Sequence, residues 1–240
     1  MSDDEQLNED DYGECKPVAV IPYLPAEIKD VKWTNKLRPF QIRIVGDICP
    51  QVAADLEVLV RHATQTGQSH VVLDIHSDGG CVYSALKICD MLDACELPII
   101  TVVKGNADSA ASVIFSCGTR RVISPRGMVM VHSVRGCKAH TLREMQLDVM
   151  EAERVNRQMC QVIARATPKR SASYYEKLMS NNVDINLSAE EALEEGIATD
   201  IGFIDFKTRV RVETTIDVVP HVKSNLTRLP KKRRRKAAAV

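Results

Sequence analysis

A serine, a histidine and an aspartate stand in chain order at Ser109, His132 and Asp184, each next to a strand-like run or a helix start. These three residue types can carry out acyl transfer. The hydroxyl attacks, the imidazole takes its proton near neutral pH, the carboxylate orients the imidazole, and fixed N–H donors hold the oxyanion. Ser109 lies in Gly105-Asn106-Ala107-Asp108-Ser109-Ala110-Ala111-Ser112, just after a strand-like run and at the start of a buried helical pattern. Free N–H groups at a helix start favour developing negative charge, and the small neighbours let a substrate backbone come close. His132 ends the run Met128-Val129-Met130-Val131, and Asp184 ends Asn181-Asn182-Val183-Asp184 ahead of a helix at Ser188. Taken singly, each has a plainer reading: tight helix packing, a structural histidine, a capping carboxylate. Gly79-Gly80 alone is a sharp turn.

The elements that must position these residues follow from hydrophobic period. Phe40 to Gly46 alternates with period two and predicts a strand; Val52, Leu56, Leu59, Val60 and Ala63 share one helical face that Gly67 ends. His70 to Ile75 predicts a buried strand before Ser77-Asp78-Gly79-Gly80, and Val82, Ala85, Leu86, Cys89 and Leu92 line the next helix. Pro98 to Val103 predicts a strand ending at Gly105, and Ser109 to Cys117 a buried helix. Two short strands follow, Arg121 to Ser124 and Met128 to His132, parted by Pro125-Arg126-Gly127. Thr141 and Glu144 have capping-box spacing and open a long helix to about Thr167; further helices span Ser171 to Ser180 and Ser188 to Glu195, the last closed by Gly196. This alternation predicts an α/β domain of parallel βαβ units, with the strand C-termini gathered on one side where sites of open sheets form.

Composition removes several alternatives. Apolar residues make up 45% of the 240, enough for one substantial core, while aromatics at 4% leave little to stack nucleic-acid bases. The net charge of zero hides two opposed ends: an acidic start (Asp3, Asp4, Glu5, Glu9, Asp10, Asp11, Glu14) and a basic run from Lys231 to Lys236. We divide the chain into an acidic arm over 1–35, a catalytic-type domain over 36–210 and a C-terminal extension with the basic tail over 211–240. Both ends read as disordered. The basic tail has two readings: a solvated end, or a contact with nucleic acid or the nuclear-import machinery. The eight cysteines form no C-x-x-C pair and no zinc spacing with histidine, so neither metal nor cofactor is expected. There is no Walker-type phosphate loop, no secretory h-region and no apolar run near the length of a membrane span. A reducing, cytoplasmic or nuclear setting is the expectation.

The order of the motifs is more specific than any one of them. Ser77-Asp78-Gly79-Gly80, the Gly-x-Ala-x-Ser block at Gly105–Ser109, Met130-Val131-His132, and Asp184-x-x-Leu187-Ser188-Ala189-x-Glu191-Ala192 with Gly196 and Asp200 resemble, in sequence, the Clp protease proteolytic subunit. The resemblance covers about residues 40 to 205. It implies a ClpP/crotonase-like spiral of repeated ββα/βαβ units with a long handle helix. It makes Ser109 the nucleophile, His132 the base and Asp184 the orienting acid of a serine endopeptidase, with the Gly79 and Ala110 N–H groups as oxyanion donors. It also implies polypeptide substrates, heptameric rings and a separate AAA+ ATPase partner.

Three departures stand out. Asp78 replaces the family's proline, which would fix φ and stiffen the turn. Asp108 precedes the nucleophile where the family has a small or apolar residue. The segment Ser133-Val134-Arg135-Gly136-Cys137-Lys138 lacks the paired glycines of the family's handle strand. Three rival readings accompany the first: a noncatalytic paralogue in a mixed assembly, a Ser–Lys peptidase using Lys104 or Lys138, and a crotonase-type acyl-CoA enzyme.

Overall fold

A computed structural model describes residues 40–136, 141–180 and 184–206. The acidic arm, the basic extension and Lys138 lie outside these residues.

The chain begins with β1 (Phe40–Val45), α1 (Pro50–Gln65), β2 (Val71–Ser77), α2 (Val82–Asp93) and β3 (Ile99–Asp108). It continues with α3 (Ala110–Ser116), β4 (Arg120–Ile123), β5 (Met128–Val131) and α4 (Leu142–Ala166). The last elements are α5 (Ala172–Met179), β6 (Ile185–Leu187), α6 (Ala189–Glu195) and β7 (Asp200–Ile201). The strands β1-β2-β3-β4-β7 form one path of parallel neighbours, and β5 branches from β3 to carry the antiparallel β6. This is an α/β fold on a mainly parallel sheet, with one long helix, α4, where the capping-box spacing predicts it.

Each element forms for a local reason. In β1, Ile42 and Ile44 are buried while Gln41, Arg43 and Val45 are exposed, as period two requires. In α1, Pro50 starts the helix, where a missing N–H costs nothing, and Val52, Ala53, Leu56, Val60 and Ala63 are buried along one face. The larger of these side chains each contribute about 1.5–3 kcal/mol by burial. The capping box at Thr141 and Glu144 opens α4 as its spacing predicts, a second at Ser188 and Glu191 opens α6, and Gly196 ends α6 in the left-handed conformation.

Two expectations change. The strand expected to stop at Gly105 runs on to Asp108, because its second half finds another partner. The short β6 and β7 have too few residues to show a period, and their sequences predict neither. The thiols of Cys81, Cys89, Cys95, Cys117 and Cys160 are free, and burial pushes that of Cys160 up to about 12. No group of three or more His, Cys, Asp or Glu among the described residues could hold a metal, and no described helix is long and apolar enough to cross a membrane.

One cation ties the C-terminal elements to the sheet. Arg121, on β4, is buried, and its guanidinium donates to the carbonyls of Gly118 at 3.0 Å, Ala166 at 2.9 Å, Gly196 at 3.0 Å and Ile197 at 2.7 Å. Ala166 and Gly196 close α4 and α6, whose free carbonyls favour a positive charge. Burial lowers the Arg121 pKa from its ordinary value, but a guanidinium keeps its proton at any working pH. Beside it, Arg120 grips Asp200 with two hydrogen bonds of 2.9 and 2.7 Å, and together with Thr199 this draws the Asp200 carboxyl down to about 2. Replacing Arg121 by Leu strands those buried carbonyls. The expected loss is about 3 kcal/mol of stability, read as a lower urea midpoint.

Candidate active site

The sheet sets four strand ends side by side, in the order β2, β3, β5, β6. Gly79 follows β2, Ser109 follows β3, His132 follows β5, and Asp184 precedes the antiparallel β6. All four therefore lie at one end of neighbouring strands.

Ser109 stands on a strained elbow. Its φ of 54° and ψ of −121° make it the one non-glycine at positive φ among the described residues. That conformation costs about 1–3 kcal/mol and needs fixing from outside. Its N–H donates to Met130 O at 2.8 Å on β5, and its carbonyl accepts from Ser112 N–H at 3.1 Å and Ser112 Oγ at 2.6 Å on α3. The Ser109 hydroxyl makes no capping bond to α3, although it occupies the cap position. Ala110 begins α3, so its N–H has no acceptor within the helix.

The glycine turn is pressed against this elbow. Gly79 has φ +109°, and a Cβ there would sit 2.7 Å from Ser109 Cβ, 2.9 Å from Asp108 O and 3.2 Å from Ser109 Oγ. Gly80, at φ +137°, would place a Cβ 2.4 Å from Ile48 O. Its neighbours clamp that loop: Ile48 N–H donates to Gly79 O and Cys81 N–H to Ile48 O, both at 2.7 Å. The Gly79 N–H, expected as an oxyanion donor, here donates to Ser77 Oγ at 3.1 Å.

The antiparallel register explains how Asp184 reaches the site. Val131 pairs with Ile185, so one step further along the same ladder come His132 and Asp184. The side chains do not complete that pairing. His132 Nδ1 is buried without a hydrogen-bond partner, while Asp184 accepts from the Arg135 guanidinium in a short ion pair. Arg135 is presented by a pinned segment: Ser133 Oγ donates to Met179 O at 3.1 Å, and Val134 N–H donates to Asn156 Oδ1 at 3.3 Å.

The sequence pattern thus located the strand ends and missed the residues that occupy the site's polar groups. Arg135 lies three positions after His132, in the very segment that departs from the family. Asn106, inside the Gly105–Ser109 block, donates to both Asp78 and Asp108. Lys104, the candidate for a Ser–Lys pair, is committed to Asp74 at 2.7 Å.

A family model described as Clp protease matches residues 28–205 of this chain. The ATP-dependent Clp protease proteolytic subunit 1 of Mycolicibacterium paratuberculosis (strain ATCC BAA-968 / K-10) is 30% identical over 177 residues, 71% of this chain and 82% of the relative.

Gly79 admits no side chain where it stands. Gly79→Ala is expected to cost about 1–3 kcal/mol of stability by denaturant titration, through the strained φ and the clash. Amide exchange over residues 77–81 should quicken in the variant, because the elbow and the turn must move apart.

Proposed function

The chain belongs to the Clp protease family, and from that premise we propose that it is a serine endopeptidase acting through an acyl-enzyme on Ser109. The observation that carries this reading is the strained backbone of Ser109 against the Gly79 turn. That strain is not accompanied by a side-chain cap on α3. It is what a nucleophile needs when its hydroxyl must stay clear of a capping bond.

In this reading Ser109 Oγ attacks the peptide carbonyl carbon while His132 accepts the Oγ proton and returns it to the leaving amine. Water, deprotonated by His132, then attacks the acyl carbon and Ser109 leaves with its proton restored. The oxyanion is held by the Ala110 N–H and by the Gly79 N–H once the latter leaves Ser77 Oγ. Asp184 takes over His132 Nδ1 when it exchanges partners with Arg135. The register beside His132 and the unpartnered Nδ1 support that exchange. A ring of copies, heptameric as in the family, working with a separate AAA+ ATPase on polypeptide substrates, completes the proposal. In its favour, Leu142, Met145, Val149 and Met150 on α4 are exposed and apolar, as a face buried between copies would be.

A second reading has its own support. With Asp184 on Arg135 and the Gly79 N–H on Ser77, a noncatalytic subunit of a mixed assembly also fits. Labelling of the full-length assembly with a fluorophosphonate separates the two. The endopeptidase reading expects modification at Ser109 and its loss in Ser109→Ala. An intact oligomer that stays unlabelled at Ser109 would establish the noncatalytic one.

The ion pair makes a further expectation. Arg135→Ala frees Asp184 for His132 and should raise kcat/KM several-fold, whereas Asp184→Asn should lower it by about 10²–10⁴. Peptide-hydrolysis kinetics on both variants check this; equal activity of Arg135→Ala and the parent chain would mean that the ion pair does not limit turnover.

A further inference from the structure

We infer that Asn106 is a positioning residue for the reaction proposed at Ser109, its carboxamide tying the glycine turn to the residue before the nucleophile. The inference rests on the serine-peptidase reading for its kinetic part and on hydrogen bonding alone for its structural part.

Asn106 Nδ2 donates to Asp78 Oδ1 at 2.6 Å and to Asp108 Oδ2 at 2.7 Å, with Ser77 O more distant at 3.4 Å. A primary amide carries two N–H bonds on one nitrogen, so it can serve two carboxylates at once. Asp78 leads directly into Gly79 and Asp108 directly into Ser109. The bridge therefore joins, one residue back from each, the two backbones that meet at the site. Among the described residues, no other side chain is hydrogen-bonded to either carboxylate.

The alternative anchors of the turn face elsewhere. The bonds of Gly79 O and Cys81 N–H go to Ile48, in the loop before α1, and the Ser77 hydroxyl closes on the turn itself. Strand pairing of Ser77 with Ala107 fixes the start of the turn but follows a register shift, which loosens the ladder just below it. With aspartate at 78, no ring fixes φ there. Two carboxylates sharing one donor nitrogen would repel each other without it, and that repulsion would drive Gly79 away from Ser109. The two acidic departures and the asparagine thus form one device. Misplacement of a catalytic group by about 1 Å costs on the order of 10²-fold in rate.

The test compares the full-length assembly with Asn106→Leu, which keeps the side chain's size and removes both donors, and with Asn106→Gln, which restores them. In Asn106→Leu, kcat should fall by about 10- to 100-fold while KM changes by less than about threefold. Affinity for a peptide boronate, which mimics the tetrahedral adduct, should fall in step with kcat. Amide exchange over residues 77–81 should quicken while the melting curve stays in place, and Asn106→Gln should recover most of each loss. Unchanged kcat, boronate affinity and exchange in Asn106→Leu would overturn the inference. So would parallel losses of kcat, KM and melting temperature that Gln does not rescue, because those mark a merely structural role. If Ser109 of the parent chain resists fluorophosphonate, the peptidase reading fails separately. Exchange at 77–81 then decides the structural part: quickened exchange upholds the bridge, and unchanged exchange overturns it.

Discussion

The site depends on one strand having two sets of neighbours. Up to Val103, β3 pairs with β4; from Asn106 onward it pairs with β5. On its other edge the register against β2 jumps between Ile75 and Ser77, so that β3 carries extra residues over the same span. The change of partner projects β3 beyond the main path of the sheet, to the end where Gly79 turns. Ser109 is then anchored through Met130 O on β5, a strand that would not exist as a partner had β3 stopped at Gly105. β5 in turn recruits β6, and β6 delivers Asp184. One irregularity in a parallel ladder accounts for the adjacency of four chain segments.

Polar groups around that irregularity are satisfied by a few side chains placed where backbone pairing gives out. Arg121 serves the ends of α4 and α6 and secures the return of the chain to β7. Asn106 serves the turn and the approach to Ser109. Arg121 is buried and its acceptors are fixed carbonyls, so it acts as a rigid strut. Asn106 is half-buried, and its acceptors are side chains that can move. Removing the first therefore endangers the fold, whereas removing the second endangers alignment. Unmade bonds to buried groups cost about 1–3 kcal/mol each, while a misaligned donor at a site costs rate and leaves stability nearly intact.

The strands and helices with a full period were legible in the sequence. Ile42 and Ile44 in β1, the stripe from Val52 to Ala63, and the capping box at Thr141 each state their element in the residues themselves. The strand ends carrying Gly79, Ser109 and His132 were legible for the same reason, since turns punctuate the pattern. What stayed hidden depends on contacts distant in the chain. The extension of β3 through Gly105 is decided by β5, and the three residues of β6 have no period to read. Arg135 looked only like a lost glycine pair, because nothing local says that its guanidinium meets a carboxylate 49 positions away. The aspartates at 78 and 108 read as separate departures, and only the fold shows one amide between them.

The partners at the site can be ranked by magnitude. The Arg135–Asp184 pair has its side chains 61% and 41% exposed, and an exposed ion pair is worth about 0.2–1 kcal/mol. His132 Nδ1 is buried with no acceptor, and leaving such a group unsatisfied costs about 1–3 kcal/mol. On energy alone the carboxylate gains by moving to the histidine, which is one register step away on the same ladder. What keeps it on arginine is therefore position and not affinity. Ser133 and Val134 are pinned to Met179 and Asn156, so Arg135 is held where Asp184 meets it first. Any contact that displaces the 133–135 segment shifts the balance towards His132 by a margin of about one to two kcal/mol, a factor of roughly five to thirty in population. A half-buried segment after His132 can thus set how often Asp184 stands beside the imidazole, without touching Ser109.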